Sequence, residues 1–207
     1  MKIISLVLGP VGTNCYFLIN EDTKETIIID PADNASAIKQ RLKMEDLTPV
    51  AILLTHGHFD HILAAKNIAE EYNILIHAFY EEWSLLGDAK LNAGYLIRTN
   101  FTLTPHKELK DNEILNMAGM DLLVIHTPGH TKGSICLYHK ESQSLITGDT
   151  LFYESVGRTD LPTGNSVTIQ KSISERLFKL DDTTKVYPGH GDVTTIGHEK
   201  MYNPFLR

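Results

Sequence analysis

Residues 56–61 read HGHFDH, and they follow, after Thr55, on the apolar run VAILL at 50–54. A run of five apolar residues has the length of a buried strand. The motif therefore stands where a strand ends, and a strand end held by its ladder is a rigid mount for a side chain. Gly57 lets the backbone turn tightly there. His56 and His58, two apart in an extended turn, can point to the same side. Asp60 and His61 lie where the chain turns into the next helix and can aim at a neighbouring point. A lone loop histidine is more often a surface residue than a ligand. Four ligand-type side chains within six residues do not fit that account.

The chain has ten histidines. Two more stand in glycine-marked turns after strand-like runs, His130 in VIHTPGH and His190 in VYPGH; Asp149 ends LITGD in the same kind of place. The candidate ligands are thus His56, His58, Asp60, His61, His130, Asp149 and His190. One metal takes three or four protein ligands, so seven suit two metals with a shared carboxylate. Imidazole and carboxylate donors without cysteine favour zinc, iron or manganese over a structural thiolate site.

Short strands are expected at 3–8, 15–20 and 26–29, then a helix with Ala35, Ile38 and Leu42 on one face, capped by Asp33 or Asn34. After the histidines, Ile62, Ala65, Ile68, Ala69 and Tyr72 fall on one helical face. A strand at 74–78 follows, then an ambiguous stretch expected to hold a short helix and a loop. Two strands turn at Ala118 and Gly119, and a second hairpin turns at KESQ. A helix over 165–177 starts at an Asn165 or Ser166 cap, and a last strand covers 185–187. There is no strict βα alternation, so two mixed sheets with helices outside fit better than a doubly wound sheet. No internal repeat or composition break divides the chain, and one domain over 1–207 is expected.

The 207 residues carry a net charge of −7, with no basic run of the kind a phosphate-tracking surface needs; no nucleic acid is expected as a partner. Cys15 and Cys136 lie in apolar contexts and are too few for a disulfide framework. The N-terminal apolar stretch is stopped by Gly9 and Pro10, too soon for a secretory signal, and no segment has the length of a membrane span. A cytoplasmic protein with no membrane partner is expected. No sequence feature addresses the oligomeric state.

THGHFDH, HTPGHTKGS, GDTLF and YPGHG resemble the successive motifs of the metallo-β-lactamase superfamily. The resemblance runs from IIIDPA to NPFLR. It implies an α/β (α+β) fold of the αββα type, two mixed β-sheets face to face with helices on both outer faces. It also implies that His56, His58 and His130 hold one metal, that Asp60, His61 and His190 hold another, and that Asp149 bridges them. The implied cofactors are two divalent ions, zinc first, with iron or manganese as alternatives. Asp30, ending TIIID, matches the family's buried acidic residue and would orient a ligand histidine. The alternative for it is a turn residue before Pro31.

Two metals about 3.5–4 Å apart can share a hydroxide and polarise a substrate oxygen, which is what hydrolysis needs. Asp60 and Asp149 are the carboxylates expected to take part in catalysis. No separate nucleophile is evident, since GTNCY and VGRTD are not nucleophile elbows. A thiol of pKa about 8.5 leaves readily without a dedicated acid, so such a site suits thioesters. GDTLFYESVGRTDLPTGN and NPFLR resemble glyoxalase II (hydroxyacylglutathione hydrolase) and its short bacterial relatives. That likeness implies a small-molecule thioester substrate of the S-lactoylglutathione kind. It makes Arg158 the substrate-binding candidate, with an ion pair to Asp160 as the alternative. The C-terminal helical domain of full-length glyoxalase II, with its further basic contacts to glutathione, is not expected here. A persulfide dioxygenase with a single iron shares HxHxDH and GRTD and is the nearest rival. A β-lactamase fits less well because such enzymes generally lack the bridging aspartate, and a non-catalytic metal-binding module would show a degraded ligand set.

Overall fold

The structure is a computed structural model describing residues 1–206; Arg207, the last residue of the expected domain, lies outside the described residues. The N-terminal half gives β1 (Lys2–Leu8), β2 (Thr13–Ile19), β3 (Glu25–Ile29), α1 (Ala35–Met44) and β4 (Thr48–Leu53). It continues with α2 (Phe59–Ile62), α3 (Ala65–Tyr72), β5 (Leu75–Phe79), α4 (Trp83–Leu86) and β6 (Lys107–Leu109). The C-terminal half gives β7 (Ile114–Met117), β8 (Met120–His126), β9 (Ile135–His139), β10 (Ser144–Gly148), β11 (Leu151–Phe152) and β12 (Ser155–Val156). It closes with α5 (Ser166–Glu175), β13 (Lys185–Pro188), β14 (Thr194–Thr195) and α6 (Ile196–Tyr202).

Two six-stranded sheets result, in the orders β1-β2-β3-β4-β5-β6 and β14-β13-β10-β9-β8-β7. Both are mixed. β1, β2 and β3 pair antiparallel, while β3 through β6 run parallel. In the second sheet only β10 and β13 are parallel.

Side-chain alternation assigns the layers. On β2, Tyr16 and Leu18 face a cluster shared with Leu122, Val124, Leu137 and Ile146 of the other sheet. Cys15, Phe17 and Ile19 face the opposite way, into a cluster with Ile38 and Leu42 of α1 and Ile68 of α3. On the second sheet Cys136, Tyr138 and Leu145 pack with Ile169 and Ile173 of α5 and Ile196 of α6. These clusters make the αββα sandwich that the motif pattern implied. Strands buried on both faces explain why the apolar runs are continuous rather than alternating with polar residues.

Helix starts follow the expected caps. Asn34 Oδ1 accepts from the Ala37 N–H, and Asn165 Oδ1 from the Thr168 N–H. Two details differ from the sequence expectation. The helix expected after the histidines is two pieces, because the N–H groups of Leu63 and Ala64 donate to the carbonyls of Ala32 and Pro31 (3.1 and 3.0 Å). Those bonds hold the histidine segment against the end of β3. Strands β6, β11, β12 and β14 and helix α6 carry no clear local pattern; at two or three residues, the strands exist through their pairing partners. No described helix is long and apolar enough to cross a membrane.

Leu137 is fully buried between the sheets. Leu137→Ala is expected to lower unfolding stability by about 2–5 kcal/mol. Chemical denaturation should show a lower midpoint with an unchanged slope.

Candidate metal centre

Five strand ends deliver the site. Asp30 follows β3, His56 and His58 follow β4, and His130 lies in the turn after β8. Asp149 follows β10 and His190 follows β13. Their ligating atoms converge into three overlapping groups: His56, His58 and His130; Asp60, His61 and His190; and Asp30, His56 and His61, each within 4.8 Å. Asp149 reaches both main groups. Its Oδ1 is 3.4 Å from His61 Nε2, and its Oδ2 is 3.6 Å from His130 Nε2 and 3.5 Å from His190 Nε2. All seven ligand candidates are therefore brought together, although they lie up to 134 residues apart in sequence, from His56 to His190.

The groups behind them fix their orientation. Asp30 accepts from the Thr55 N–H (2.8 Å) and the Thr55 hydroxyl (2.6 Å), and its Oδ2 lies 3.0 Å from His61 Nδ1. The expected orienting role of Asp30 thus has a geometric basis. His130 Nδ1 sits 2.7 Å from the Arg158 carbonyl, which holds its ring. The Thr13 hydroxyl donates to Asp60 (3.1 Å). Asn14 and Tyr16 donate to the Pro188 carbonyl and so tie the His190 turn to the other sheet. Gly148 has φ +47°, and a Cβ there would overlap Thr55 Oγ1, so this approach excludes any side chain.

Two contributors escape a sequence reading. Glu82 is 1 % exposed, and its carboxylate accepts from the N–H groups of Gly57 (2.9 Å) and Gly133 (2.8 Å). Burial pushes its pKa up to about 7, against the pull of those N–H donors. The available signal was its helical spacing with Leu85 and Leu86, which puts a carboxylate on an apolar face. The buried Asn92 accepts the Phe59 N–H through its carbonyl (2.9 Å) and so holds the start of α2; no local pattern marks it. His126, at the end of β8, contacts the Lys132 carbonyl and stacks on Phe79.

The two halves differ electrostatically. Burial, reinforced by neighbouring imidazoles, drives the His56 pKa well below its ordinary value; burial also lowers His58 and His130. All three rings are neutral at pH 7 and keep an unprotonated nitrogen each, although His58 Nδ1 and His130 Nε2 lie 2.8 Å apart. His61 and His190 go the other way. Burial opposes their charge, but Asp149 and Asp60 outweigh it and raise His61 well above the usual range and His190 to about 9. Asp60 is lowered to about 2 because His61 and His190 outweigh its burial, and Asp149 is lowered for the same reason.

The residues present fit metal ions. His56 Nε2, His58 Nε2 and Asp149 Oδ1 are buried and make no hydrogen bond, and buried polar atoms in folded proteins are ordinarily paired. Imidazole lone pairs and a carboxylate oxygen are acceptors that a cation satisfies together. A cavity of about 410 Å³ opens onto the centre, with His58, Asp60, His130, Asp149 and His190 at its floor and Arg158 at its wall. A larger hollow of about 600 Å³ lies beside α3 and β5, far from these ligands, and its lining holds only Glu70 and His106 as possible ligands.

The family model of the metallo-beta-lactamase superfamily matches residues 8–190. The chain belongs to the metallo-beta-lactamase superfamily. Over all of this chain and 98 % of the relative, it is 40 % identical to "Probable metallo-hydrolase YqgX" of Bacillus subtilis (strain 168). It is 37 % identical to "Hydroxyacylglutathione hydrolase GloC" of Haemophilus influenzae (strain ATCC 51907 / DSM 11121 / KW20 / Rd), over 93 % of this chain and 92 % of that one. The crystal structure of BLEG-1 B3 metallo-beta-lactamase superposes with a TM-score of 0.95 at 40 % identity, covering 99 % of both chains. TTHA1623 in a di-iron-bound form superposes with a TM-score of 0.88 at 34 % identity, covering 98 % of this superfamily member and 100 % of that chain.

A metal entering the group of Asp60, His61 and His190 must displace protons that His61 and His190 hold at pH 7. Raising the pH from 6 to 9 should strengthen binding there, by roughly tenfold per unit for each proton released. His56, His58 and His130 have no proton to release in that range, so their affinity should stay nearly flat. Calorimetric zinc titration in buffers of different ionisation heat, with His58→Ala and His190→Ala isolating each group, measures both slopes.

Proposed function

We propose that the chain is a binuclear metal-dependent hydrolase of thioesters of a small thiol, with S-lactoylglutathione as the model substrate. The observation that carries this reading is the composition of the cavity. Two groups of imidazoles and carboxylates, joined by Asp149, form its floor, while no serine, threonine, cysteine or lysine lines it among the described residues. Water is then the nucleophile the site has to offer. When bound, two divalent ions would acidify that water and polarise the thioester carbonyl. His56, His58 and His130 would hold one ion, Asp60, His61 and His190 the other, and Asp149 would span them.

The protein's own groups supply the rest. Asp60 and Asp149 are ionised at every working pH and stand ready to accept a hydrogen bond from the attacking water. A thiolate leaving group, of pKa about 8.5, needs no donated proton, whereas an amine does. Val11, Phe59, Leu96, Phe152 and Leu161 give the cavity an apolar lining. Arg158 is the one Arg or Lys in its lining among the described residues. Its guanidinium is also forked onto Asp160 at 2.7 and 2.8 Å, an ion pair that leaves room for a substrate role. Two of its five N–H donors are used there, and the remainder stay available for a substrate carboxylate. The GloC relative supports the thioester reading. The BLEG-1 likeness favours a second one, hydrolysis of a β-lactam, and the di-iron TTHA1623 keeps iron among the candidate metals.

One preparation should be assayed with S-lactoylglutathione, with a cephalosporin and with a thiol persulfide under oxygen, with metal content measured on the same sample. Thioester turnover with two ions per chain is expected. Faster cephalosporin cleavage, or oxygen uptake with one iron and no thioester turnover, would sink the proposal. Asp149→Ala should lose one equivalent of metal and nearly all turnover. Arg158→Ala should mainly raise KM, since the carbonyl that holds His130 belongs to the backbone and survives the substitution.

A further inference from the structure

Behind the group of His56, His58 and His130 lies a carboxylate that no motif marks. Glu82 ends a single 3-10 turn, Tyr80–Glu82, at the entry to α4. One of its oxygens accepts from the N–H of Gly57, which sits between His56 and His58. The other accepts from the N–H of Gly133, three residues after His130. The two turns come from different sheets, one after β4 and one after β8. The packing around this bridge is tight. A Cβ on Gly57 would lie 2.8 Å from Leu86 and 2.9 Å from Leu85, and one on Gly133 would overlap Glu82 itself. Both turns are therefore pressed directly against the Glu82 and α4 segment.

We propose that Glu82 is a positioning residue: its carboxylate clamps the turn bearing His56 and His58 to the turn bearing His130, and so sets the spacing of those three imidazoles for one metal ion. In its ionised form, which prevails above the pKa of about 7, the carboxylate suits the task because it offers two acceptors and no donor to two buried N–H groups. Charge assistance shortens and strengthens both bonds. Asp30 does the corresponding work for the other half, through Thr55 and His61. Asp30 also reaches the first group, since the Thr55 hydroxyl it holds lies 3.1 Å from His56 Nδ1, but it bonds neither Gly57 nor the turn of His130 as Glu82 does. Glutamine at 82 would keep the shape but turn an NH2 toward one of the two N–H groups, leaving that donor buried and unpaired.

The inference stands on the metal centre and is independent of which substrate is cleaved. Cobalt(II) titration of apoprotein, followed by visible absorption, tests it. In the His190→Ala background, where the group of His56, His58 and His130 remains, adding Glu82→Gln should weaken cobalt binding about 10–100-fold and alter the spectrum. In the His58→Ala background, where the other group remains, the same change should shift affinity less than about twofold. Glu82→Asp, one methylene too short to reach both turns, should repeat the selective loss and serves if the glutamine variant does not fold. Glu199→Gln is the control. It removes another buried carboxylate, one that holds Thr194, Asn203 and the Glu154 N–H, and should lower thermal stability without changing cobalt affinity at the first group. Equal weakening in both backgrounds, no weakening in the His190→Ala background, or an equal loss from Glu199→Gln would overturn the proposal. A parent protein that binds no cobalt would overturn the metal centre itself.

Discussion

The contact between the two sheets governs the centre. Ile27, Ile29 and Leu53 of one sheet share a single buried cluster with Leu122, Val124, Leu137 and Ile146 of the other. The opposite face is buried too on β3, β9 and β10 and carries the exposed Asp121 on β8, and a slip of one residue would exchange every inward side chain for an outward one. The register is thereby fixed, and with it the position of each strand end. His56, His58, His130, Asp149 and His190 stand one to five residues beyond strand ends, on short turns, and Asp60 and His61 follow within α2. Metal-site precision here is a by-product of apolar packing.

Buried hydrogen bonds complete what the packing begins. Asp30 holds Thr55 and His61, Glu82 holds the turns at Gly57 and Gly133, and Asn14 and Tyr16 hold the turn before His190. Leu63 and Ala64 give up helical continuity to bond Pro31 and Ala32, which draws Asp60 and His61 toward Asp30. The consequence is an asymmetric pair of metal groups. One consists of neutral imidazoles in a dry surrounding. The other consists of imidazoles and carboxylates whose charges already balance through protons. Ions would enter the first without exchange and the second by displacing protons, a difference that arises from where Asp60 and Asp149 stand.

Much of this was legible in the sequence because it is written locally. Apolar runs of strand length, Asn caps and the turn glycines beside His56, His130, Asp149 and His190 each depend on neighbours only a few residues away. The family motifs condense the same information. Other features are not local. The strands at 107–109, 151–152, 155–156 and 194–195 have too few residues to carry a pattern and exist only through their partners. The break between α2 and α3 depends on two carbonyls thirty residues upstream. Arg158 illustrates the middle case: its pairing with Asp160, two residues on, was readable locally, while its place beside the site was expected only from the family resemblance.

The sequence by itself determined the chemical types at the centre, the strand ends that carry them and two mixed sheets with helices outside, because residue type and short-range periodicity encode each of these, while the αββα layering followed from the family resemblance of its motifs. Only the tertiary structure decided how the seven side chains divide their protons, which carboxylates stand behind them and what lines the cavity. Those properties depend on distances between residues far apart in the chain, and on the water excluded when the two sheets close over them. Glu82 marks the boundary. In sequence it is one acid among many, and only its burial between two turns from different sheets gives it a role.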